Sequence, residues 1–187
     1  MLWRCIHIKD VSKEQIGWCL QWMASDRRAQ VDGIANPQAQ KRTICAEWLT
    51  KTMLSEISGI AAEEISLARD KRGKPYVKNL PFHFSVSHSG DFVACAVSDR
   101  PVGLDLEQVR ACDISAAKRI CSPKELEYIL TAEDSLTRFF RVWTAKEAYV
   151  KMTGEGIAGM RKADFFSLRS ALSVQEKNGC IITICSP

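Results

Sequence analysis

The first hundred residues combine one long helical pattern with several short strand-like stretches. Asn36 is a suitable helix cap, and Pro37 follows it at the position where a helix best tolerates proline. Apolar residues then recur at helical spacing up to Gly59, where the helix is expected to end. These residues are Cys45, Trp48, Leu49, Met53 and Ile57. Strands are expected over residues 64–69, 82–87 and 92–98, with turns at 72–75 and 88–91.

The second part of the chain carries another long helical pattern. Apolar and polar positions alternate over residues 102–107, which predicts a strand. A long helix is expected from about Ser135 to Met152, and Gly154 and Gly156 end it. Shorter elements are expected as helices near Asp113 and after Ser122-Pro123, and as weak strands over 165–168 and 180–185.

One motif occurs twice. Trp-x-x-Lys, followed by Gly at the same spacing, is found in each of the two long helical patterns. The copies are Trp48, Lys51 and Gly59, and Trp143, Lys146 and Gly154. Three matching positions are either a coincidence or the mark of two related halves, each a helix packed on a small sheet. In the second case the boundary falls near residues 99–102, and the halves span 1–102 and 103–187.

Composition narrows the classes of function. The chain has 187 residues, 46% of them hydrophobic, and a net charge of +4. This balance suits an anionic ligand or an acidic partner and does not indicate nucleic acid. No apolar run approaches the ~20 residues that cross a bilayer, and residues 1–10 lack a signal-peptide core, so a soluble cytoplasmic protein is expected. The eight cysteines form no Cys-x-x-Cys pair and are expected to be reduced core thiols rather than zinc ligands or disulfides.

Two carboxylates in the strand over 102–107 are the first candidates for chemistry. Asp105 and Glu107 lie two positions apart, so their side chains leave the same face of the strand. Their Cβ atoms would be about 7 Å apart, close enough to share a cation. Such a pair is either a solvated surface or part of a metal site.

Glu147 favours the metal site. It lies three residues before Val150, on the apolar stripe of the long helix, where an unpaired carboxylate is costly to bury. The alternative is a surface ion pair with Lys151, which requires Glu147 to face water. Together with Asp105 and Glu107, Glu147 would complete an oxygen-only site of the kind that suits Mg²⁺.

Several basic residues are candidates for binding a phosphate. Arg42 lies on the buried stripe of its helix, where it either extends to the surface or reaches a phosphate in a cleft. Residues 69–74 carry four cations around one turn, which indicates a solvated loop or an anion site. His88 follows a strand among small residues and is either structural or exposed to a ligand. The sequence contains no nucleophile constellation and no phosphate-binding Walker loop, so a nucleophile would come from another molecule.

Four segments, in order along the chain, resemble motifs of the 4′-phosphopantetheinyl transferases. They are Gly73-Lys74-Pro75, Phe84-Ser85-Val86-Ser87-His88-Ser89-Gly90, Gly103-Leu104-Asp105-Leu106-Glu107, and residues 140–151. The last of these resembles the family's Phe-x-x-Trp-(Ser/Thr)-x-Lys-Glu-(Ala/Ser)-x-x-Lys, and Ser85 stands where the family has Asn. The layout resembles the longer, monomeric class of the family. This implies an α+β fold of two similar subdomains related by a pseudo-two-fold, each a helix on a small antiparallel sheet, with the active site at their interface.

The resemblance also implies roles for particular residues. The magnesium ligands would be Asp105, Glu107 and Glu147, with manganese as an alternative ion. Glu147 would act as the base, directly or through a water, and Lys151 would stabilise the leaving phosphate. The residues implied in binding coenzyme A are Arg27, Arg42, Lys74, Pro75, Ser87, His88, Lys146 and Lys151.

The implied reaction moves the phosphopantetheine arm of coenzyme A onto a serine of an apo acyl or peptidyl carrier protein. The N-terminal half would bind the adenine and the 3′-phosphate, and the C-terminal half would bind the metal and the carrier. The carrier would dock near Ile114, Lys118, Arg119 and Lys124, where cations flank an apolar residue; the alternative is an ordinary amphipathic surface helix. Two other functions are alternatives: a non-catalytic module that binds coenzyme A or a nucleotide, and a magnesium-dependent hydrolase of nucleotide diphosphates.

Overall fold

The computed structural model describes the backbone of residues 1–187 and every side chain except those of Ala116 and Ile157. The chain divides into two compact units, Met1–Asp99 (unit 1) and Arg100–Pro187 (unit 2). The sequence analysis places the boundary a few residues later, after residue 102. Among the described residues, no helix has both the length and the apolar character needed to cross a membrane.

In each unit one strand comes first, a run of helices follows it, and the remaining strands come last. Unit 1 contains the helices α1 (Lys13–Trp22), α2 (Ser25–Asp32) and α3 (Pro37–Ser58), and the strands β1 (Leu2–His7), β2 (Leu67–Arg69), β3 (Pro75–Val77), β4 (His83–Ser89) and β5 (Phe92–Ser98). Unit 2 contains the helices α4 (Ala117–Ile120), α5 (Pro123–Leu130), α6 (Ser135–Thr153) and α7 (Ile157–Lys162), and the strands β6 (Gly103–Gln108), β7 (Leu172–Lys177) and β8 (Cys180–Cys185).

In unit 1, α3 packs on a three-stranded antiparallel sheet with the order β1–β5–β4. The Asn36 side chain caps α3 by accepting a hydrogen bond from the Ala39 N–H, and Gly59 ends the helix with a φ of 73°. Both ends of this helix are as the sequence predicts. The core of the unit includes Cys45, Leu49, Met53, Val93, Cys95 and Val97.

Unit 2 repeats this arrangement of elements. Helix α6 packs on an antiparallel sheet with the order β6–β8–β7. Each unit therefore has an edge strand, a long helix, and a hairpin whose second strand is central in the sheet. This confirms an α+β fold built from two similar subdomains, and the pseudo-two-fold relation between them stays a prediction.

The repeated Trp-x-x-Lys motif has a common structural role. Lys51 and Lys146 are the buried lysines of the two long helices, with 3% and 1% of their surfaces exposed. Lys51 Nζ donates to the Trp22 carbonyl at 2.9 Å, and Lys146 Nζ donates to the Met160 carbonyl at 3.1 Å. In each unit the lysine thus ties its long helix to the backbone of another segment.

Two parts of the fold differ from the sequence-based prediction. Residues 165–168 form turns rather than a strand, because the Asp164 carboxylate accepts hydrogen bonds from both the N–H and the hydroxyl of Ser167. The sequence analysis does not predict the elements β1, α1, α2, β3, α7 and β7. A signal for α1 was present, since Ser12 and Gln15 form a capping box at its first turn.

The cysteines are free thiols, and five of them are buried: Cys19, Cys45, Cys95, Cys180 and Cys185. Burial raises the pKa of the Cys95 thiol to about 12, so this group stays protonated and packs as an apolar side chain. The prediction of core thiols is wrong for Cys112, which is exposed.

Candidate active site

The site in unit 2 depends on a close approach of strand β6 to helix α6. Gly103 begins the strand, and a Cβ at this position would overlap the carbonyl oxygen of Ala148 and lie 2.6 Å from the Met152 backbone nitrogen. Only glycine therefore allows the two backbones to come this close. Because side chains alternate along a strand, Asp105 and Glu107 lie on the same helix-facing side as Gly103.

A pair of threonines fixes the register of helix and sheet next to Asp105. Asp105 is opposite Thr183 of β8, and the Thr183 hydroxyl is 2.7 Å from the Thr144 hydroxyl of α6. Both threonines are completely buried. A buried hydroxyl pair of this kind is directional, so it holds α6 at a defined position on the sheet. Sequence analysis did not identify these residues, since neither belongs to a charged motif.

Glu147 of α6 is half-buried and electrostatically coupled to the two acids of β6. Burial raises the pKa of its carboxyl above the usual range, and the negative charges of Asp105 and Glu107 raise it further. The ammonium of Lys151 acts in the opposite direction. Glu147 thus lies within electrostatic range of Asp105, Glu107 and Lys151, the residues that the sequence singles out.

Lys151 of α6 is directly bonded to strand β6. Its Nζ donates to Asp105 Oδ1 at 2.7 Å, and the two side chains are 30% and 5% exposed. A buried carboxylate therefore has a cationic partner in this structure. In the part of the chain that the structure describes, no three His, Cys, Asp or Glu side chains already have metal-binding geometry. The three-carboxylate magnesium site stays a prediction.

Lys146 differs from the expectation that it contacts coenzyme A. It is 1% exposed, and its ammonium forms an ion pair with Glu125 at 3.0 Å and donates to the carbonyls of Met160 and Ala163. These three bonds use all three of its donors, and its burial keeps it away from a ligand in solvent. We therefore correct its role to a structural one inside unit 2.

In unit 1, two of the expected phosphate-binding residues lie at one turn. Arg42 donates from Nη1 to the Gly90 carbonyl at 3.2 Å, and this glycine follows the end of β4, where His88 is exposed. Gln38, one helical turn before Arg42, also holds this turn through Asp91. The turn between β4 and β5 thus has a guanidinium and an imidazole close to it.

Lys74 and Pro75 lie at the β2–β3 hairpin, and β3 contacts β4. Asp70 organises the hairpin by accepting hydrogen bonds from the backbone N–H groups of Arg72 and Lys74. Partial burial lowers the pKa of the Lys74 ammonium, and the Asp70 charge opposes this effect. Ser87 is half-buried in β4.

Arg27 has a partner within unit 1. Its Nε is 2.9 Å from Glu47 Oε2, and the Glu47 side chain is 7% exposed. The guanidinium therefore compensates a buried carboxylate of α3 in this structure. Nothing in this arrangement requires an additional phosphate.

The expected carrier-docking residues lie in a short irregular helical segment. Residues 114–116 form a single 3₁₀ turn, and α4 adds four residues. Lys118, Arg119 and Lys124 are exposed, whereas Ile114 is half-buried and packs against the unit's own core. The cations are therefore available to a partner, and Ile114 is only partly so.

The comparisons with known proteins agree with the fold. Residues 101–182 match the family model of the 4′-phosphopantetheinyl transferase superfamily, and residues 10–100 match that of the N-terminal part of a 4′-phosphopantetheinyl transferase. Together the two models cover both units. The chain belongs to the 4′-phosphopantetheinyl transferase superfamily.

Individual relatives are similar over most of this chain. It is 35% identical to the 4′-phosphopantetheinyl transferase psf-1 of Bacillus pumilus over 79% of its own length and 64% of the relative's. It is 30% identical to a 4′-phosphopantetheinyl transferase of Bacillus subtilis over 79% of its length and 66% of that protein's. With Sfp of Bacillus subtilis strain 168 it shares 26% identity over 86% of its length and 72% of Sfp. The match thus spans slightly less than two thirds of the first two relatives.

Proposed function

We propose that this chain is a 4′-phosphopantetheinyl transferase that uses coenzyme A and acts on a serine of an apo acyl or peptidyl carrier protein. The observation that carries this proposal is the Lys151–Asp105 ion pair where β6 meets α6, together with the electrostatic influence of Asp105, Glu107 and Lys151 on Glu147. The family membership of both units supports it.

Asp105, Glu107 and Glu147 would hold the metal ion, with Mg²⁺ as the expected ion and Mn²⁺ as the alternative. The donor set fits a hard cation because it consists only of carboxylate oxygens. The raised pKa of Glu147 supports the fit, since a cation would relieve its repulsion by the other two acids. The bound ion would supply charge neutralisation at the diphosphate. For this site to form, the Lys151 ammonium must release Asp105 or share it.

Glu147 and Lys151 would have different roles in the reaction, one toward the attacking serine and the other toward the leaving group. Glu147 would accept the proton of the carrier serine, directly or through a water; a carboxylate that also holds a metal is a weak base, which favours the water. The serine oxygen would form a bond to the phosphorus that bears pantetheine. The bond from this phosphorus to adenosine 3′,5′-bisphosphate would break, and Lys151 would stabilise the charge on the leaving phosphate.

Unit 1 would bind the nucleotide end of coenzyme A. Arg42, His88 and Lys74 are the proposed ligands of the 3′-phosphate. Arg42 and His88 flank the same turn, and strand β3, which follows Lys74, contacts β4. An arginine fork suits a terminal phosphate particularly well. Arg27 is left out, since it already compensates Glu47.

One assay separates this function from the two alternatives. The chain is incubated with coenzyme A, Mg²⁺ and an apo carrier protein, and the carrier is examined by intact mass. A gain of one phosphopantetheine group supports the proposal, provided that a carrier with its acceptor serine replaced by alanine gains nothing. Binding of coenzyme A without turnover would support a non-catalytic module, and cleavage of coenzyme A without a carrier would support a hydrolase. Size-exclusion chromatography of the same sample tests the expected monomer.

A further inference from the structure

An ion pair lies in the interior of unit 2. Lys146 Nζ is 3.0 Å from Glu125 Oε2, and the two side chains are 1% and 0% exposed. A buried pair of this kind contributes little net stability, because the lost hydration offsets most of the attraction. What distinguishes this pair is the number of backbone segments to which its two side chains are bonded.

Lys146 connects α6 to the end of α7. Its Nζ donates to the carbonyl of Met160 at 3.1 Å and to that of Ala163, in addition to Glu125. An ammonium has three donors, and here each one has an acceptor. An apolar side chain at this position would leave two buried carbonyl groups without these bonds, which is costly.

Glu125 connects the first turn of α5 to the chain that follows α7. Its Oε2 accepts a hydrogen bond from the Ser122 N–H at 2.6 Å, and its Oε1 accepts one from the Phe165 N–H at 2.7 Å. Ser122 in turn caps α5 by accepting a bond from the Glu125 N–H. The carboxylate therefore belongs both to a helix cap and to the ion pair with Lys146.

A further bond extends this network to the exposed cations of α4. Arg161 of α7 donates from Nε to the carbonyl of Arg119 at 3.1 Å. Residues 114–124, the docking segment, thus have a bond to α7 through Arg119 and a bond to Glu125 through Ser122. Both α7 and Glu125 are bonded to Lys146, which immediately precedes Glu147 in α6.

We propose that the Glu125–Lys146 ion pair is a positioning device that holds the docking segment at a fixed place relative to Glu147. This inference rests on the proposed function, since it concerns where the carrier serine is presented to the site. Neither residue touches the substrates. Each of them acts through the backbone: Lys146 through α7, and Glu125 through the cap of α5. A shift of about 1 Å in a docking surface is enough to misplace a reacting group.

The first test replaces Glu125 with Gln, which keeps the size of the side chain and removes its charge. We expect the KM for the carrier to rise about tenfold, with the KM for coenzyme A unchanged. A cooperative thermal transition shows that the variant is folded. Glu176→Gln is the matched control, because Glu176 forms an exposed ion pair with Arg141 in the same unit. A folded Glu125→Gln variant with the wild-type KM for the carrier would overturn the proposal.

The second test uses Arg161→Ala, which removes an exposed contact and leaves the core of unit 2 intact. Loss of one such hydrogen bond is expected to raise the KM for the carrier roughly threefold to tenfold. The increase should persist at high salt, since positioning does not depend on screened charge. An unchanged KM, or an increase that disappears at high salt, contradicts a positioning role. This test decides the question if Glu125→Gln does not fold.

Hydrogen exchange separates failure of this inference from failure of the proposed function. In Glu125→Gln, the amides of residues 117–124 and 157–163 should exchange faster, and those of β8 should keep the wild-type rate. Unchanged exchange in both segments would overturn the positioning role, whatever the protein catalyses. Absence of transfer by the wild-type protein would overturn the proposed function. The exchange result would then still show whether the ion pair holds these two segments in place.

Discussion

Lys151 Nζ lies 2.7 Å from Asp105 Oδ1, so an ammonium of α6 neutralises a buried carboxylate of β6. The same carboxylate is one of the three proposed magnesium ligands. A lysine and a divalent cation would therefore compete for one anionic group, and the lysine is the more exposed partner of the ion pair, at 30% against 5%. Because the lysine is long and flexible, it can move to a leaving phosphate when the cation arrives.

Lys151→Met should lower the stability of the metal-free protein and strengthen its response to Mg²⁺. The variant keeps the apolar length of the side chain but removes the cation beside Asp105. We expect the metal-free melting temperature to fall by about 2–6 °C. Adding Mg²⁺ should raise it by more than in the wild type, since no ammonium competes for Asp105. Thermal melting in EDTA and in Mg²⁺ measures both effects.

The control for this experiment is Lys177→Met, an exposed lysine at the end of β7. It should have the wild-type response to Mg²⁺. If Lys151→Met and the wild type gained the same stability from Mg²⁺, Asp105 would not be a group for which the two cations compete.

Glu147→Gln should stabilise the metal-free protein and abolish transfer. The raised pKa of Glu147 means that its ionised form is disfavoured by burial and by Asp105 and Glu107. A neutral side chain of the same shape removes this repulsion, so the melting temperature should rise by about 1–3 °C. The stabilising effect of Mg²⁺ should disappear together with the activity. Glu133→Gln, on an exposed turn of the same unit, should change neither property; a less stable Glu147→Gln protein would contradict the electrostatic explanation.

Gly103→Ala should disrupt the contact between β6 and α6. The added methyl group meets backbone atoms of Ala148 and Met152, which cannot move away as a side chain could. We expect a loss of about 3 kcal/mol in the free energy of unfolding. Gly17→Ala is the matched control, because a Cβ there has no neighbour within 4 Å and Gly17 lies inside α1. That substitution should stabilise the protein by about 0.5–1 kcal/mol, and denaturant unfolding of the two variants compares them directly.

Parts of this site could be predicted from the sequence because local rules determine them. Asp105 and Glu107 share a face of their strand through its two-residue period, and Glu147 is partly buried through the period of its helix. The helix ends at Asn36 and Gly59 follow from capping chemistry, which acts over a few residues.

Other parts depend on contacts between distant segments, and the sequence could not predict them. Nothing near Lys146 indicates that it pairs with Glu125, which lies 21 positions earlier and belongs to a different helix. The pattern Ser122-x-x-Glu125 does indicate a helix cap, and it was the available signal that Glu125 has a structural task. The expected strand over 165–168 is wrong for a similar reason. Its apolar residues lie in a turn and pack on Tyr128. The spacing of apolar residues alone cannot distinguish such a turn from a strand.

Arg42→Ala should weaken the binding of coenzyme A through its 3′-phosphate. The Arg42 guanidinium lies at the turn that follows His88, and loss of a charged hydrogen bond should raise the KM for coenzyme A about tenfold to a hundredfold. The KM for dephospho-coenzyme A, which lacks this phosphate, should change little. Arg28→Ala provides the control, because Arg28 forms an exposed pair with Asp32 in the same unit. If Arg42→Ala raised the KM of both substrates equally, Arg42 would not be a ligand of the 3′-phosphate.

Reversing the charges of Lys118 and Arg119 should impair docking of the carrier. Both cations are exposed on α4, and a carrier that is acidic around its acceptor serine would be attracted to them. In the variant Lys118→Glu/Arg119→Glu we expect the association rate with the carrier to fall about tenfold at low salt. The loss should shrink at high salt, because screening already weakens the attraction in the wild type. Stopped-flow association at two salt concentrations measures both effects.

The control must carry the same total charge as the variant. Lys9→Glu/Lys13→Glu reverses two exposed cations of unit 1, and either double reversal brings the net charge from +4 to 0. If the carrier responds only to the net charge of the protein, its association rate should fall by the same factor in both variants. If it docks on α4, the loss should be specific to Lys118 and Arg119, and the affinity for coenzyme A should be the same in both variants. A normal association rate for the α4 variant at low salt would show that the carrier binds elsewhere.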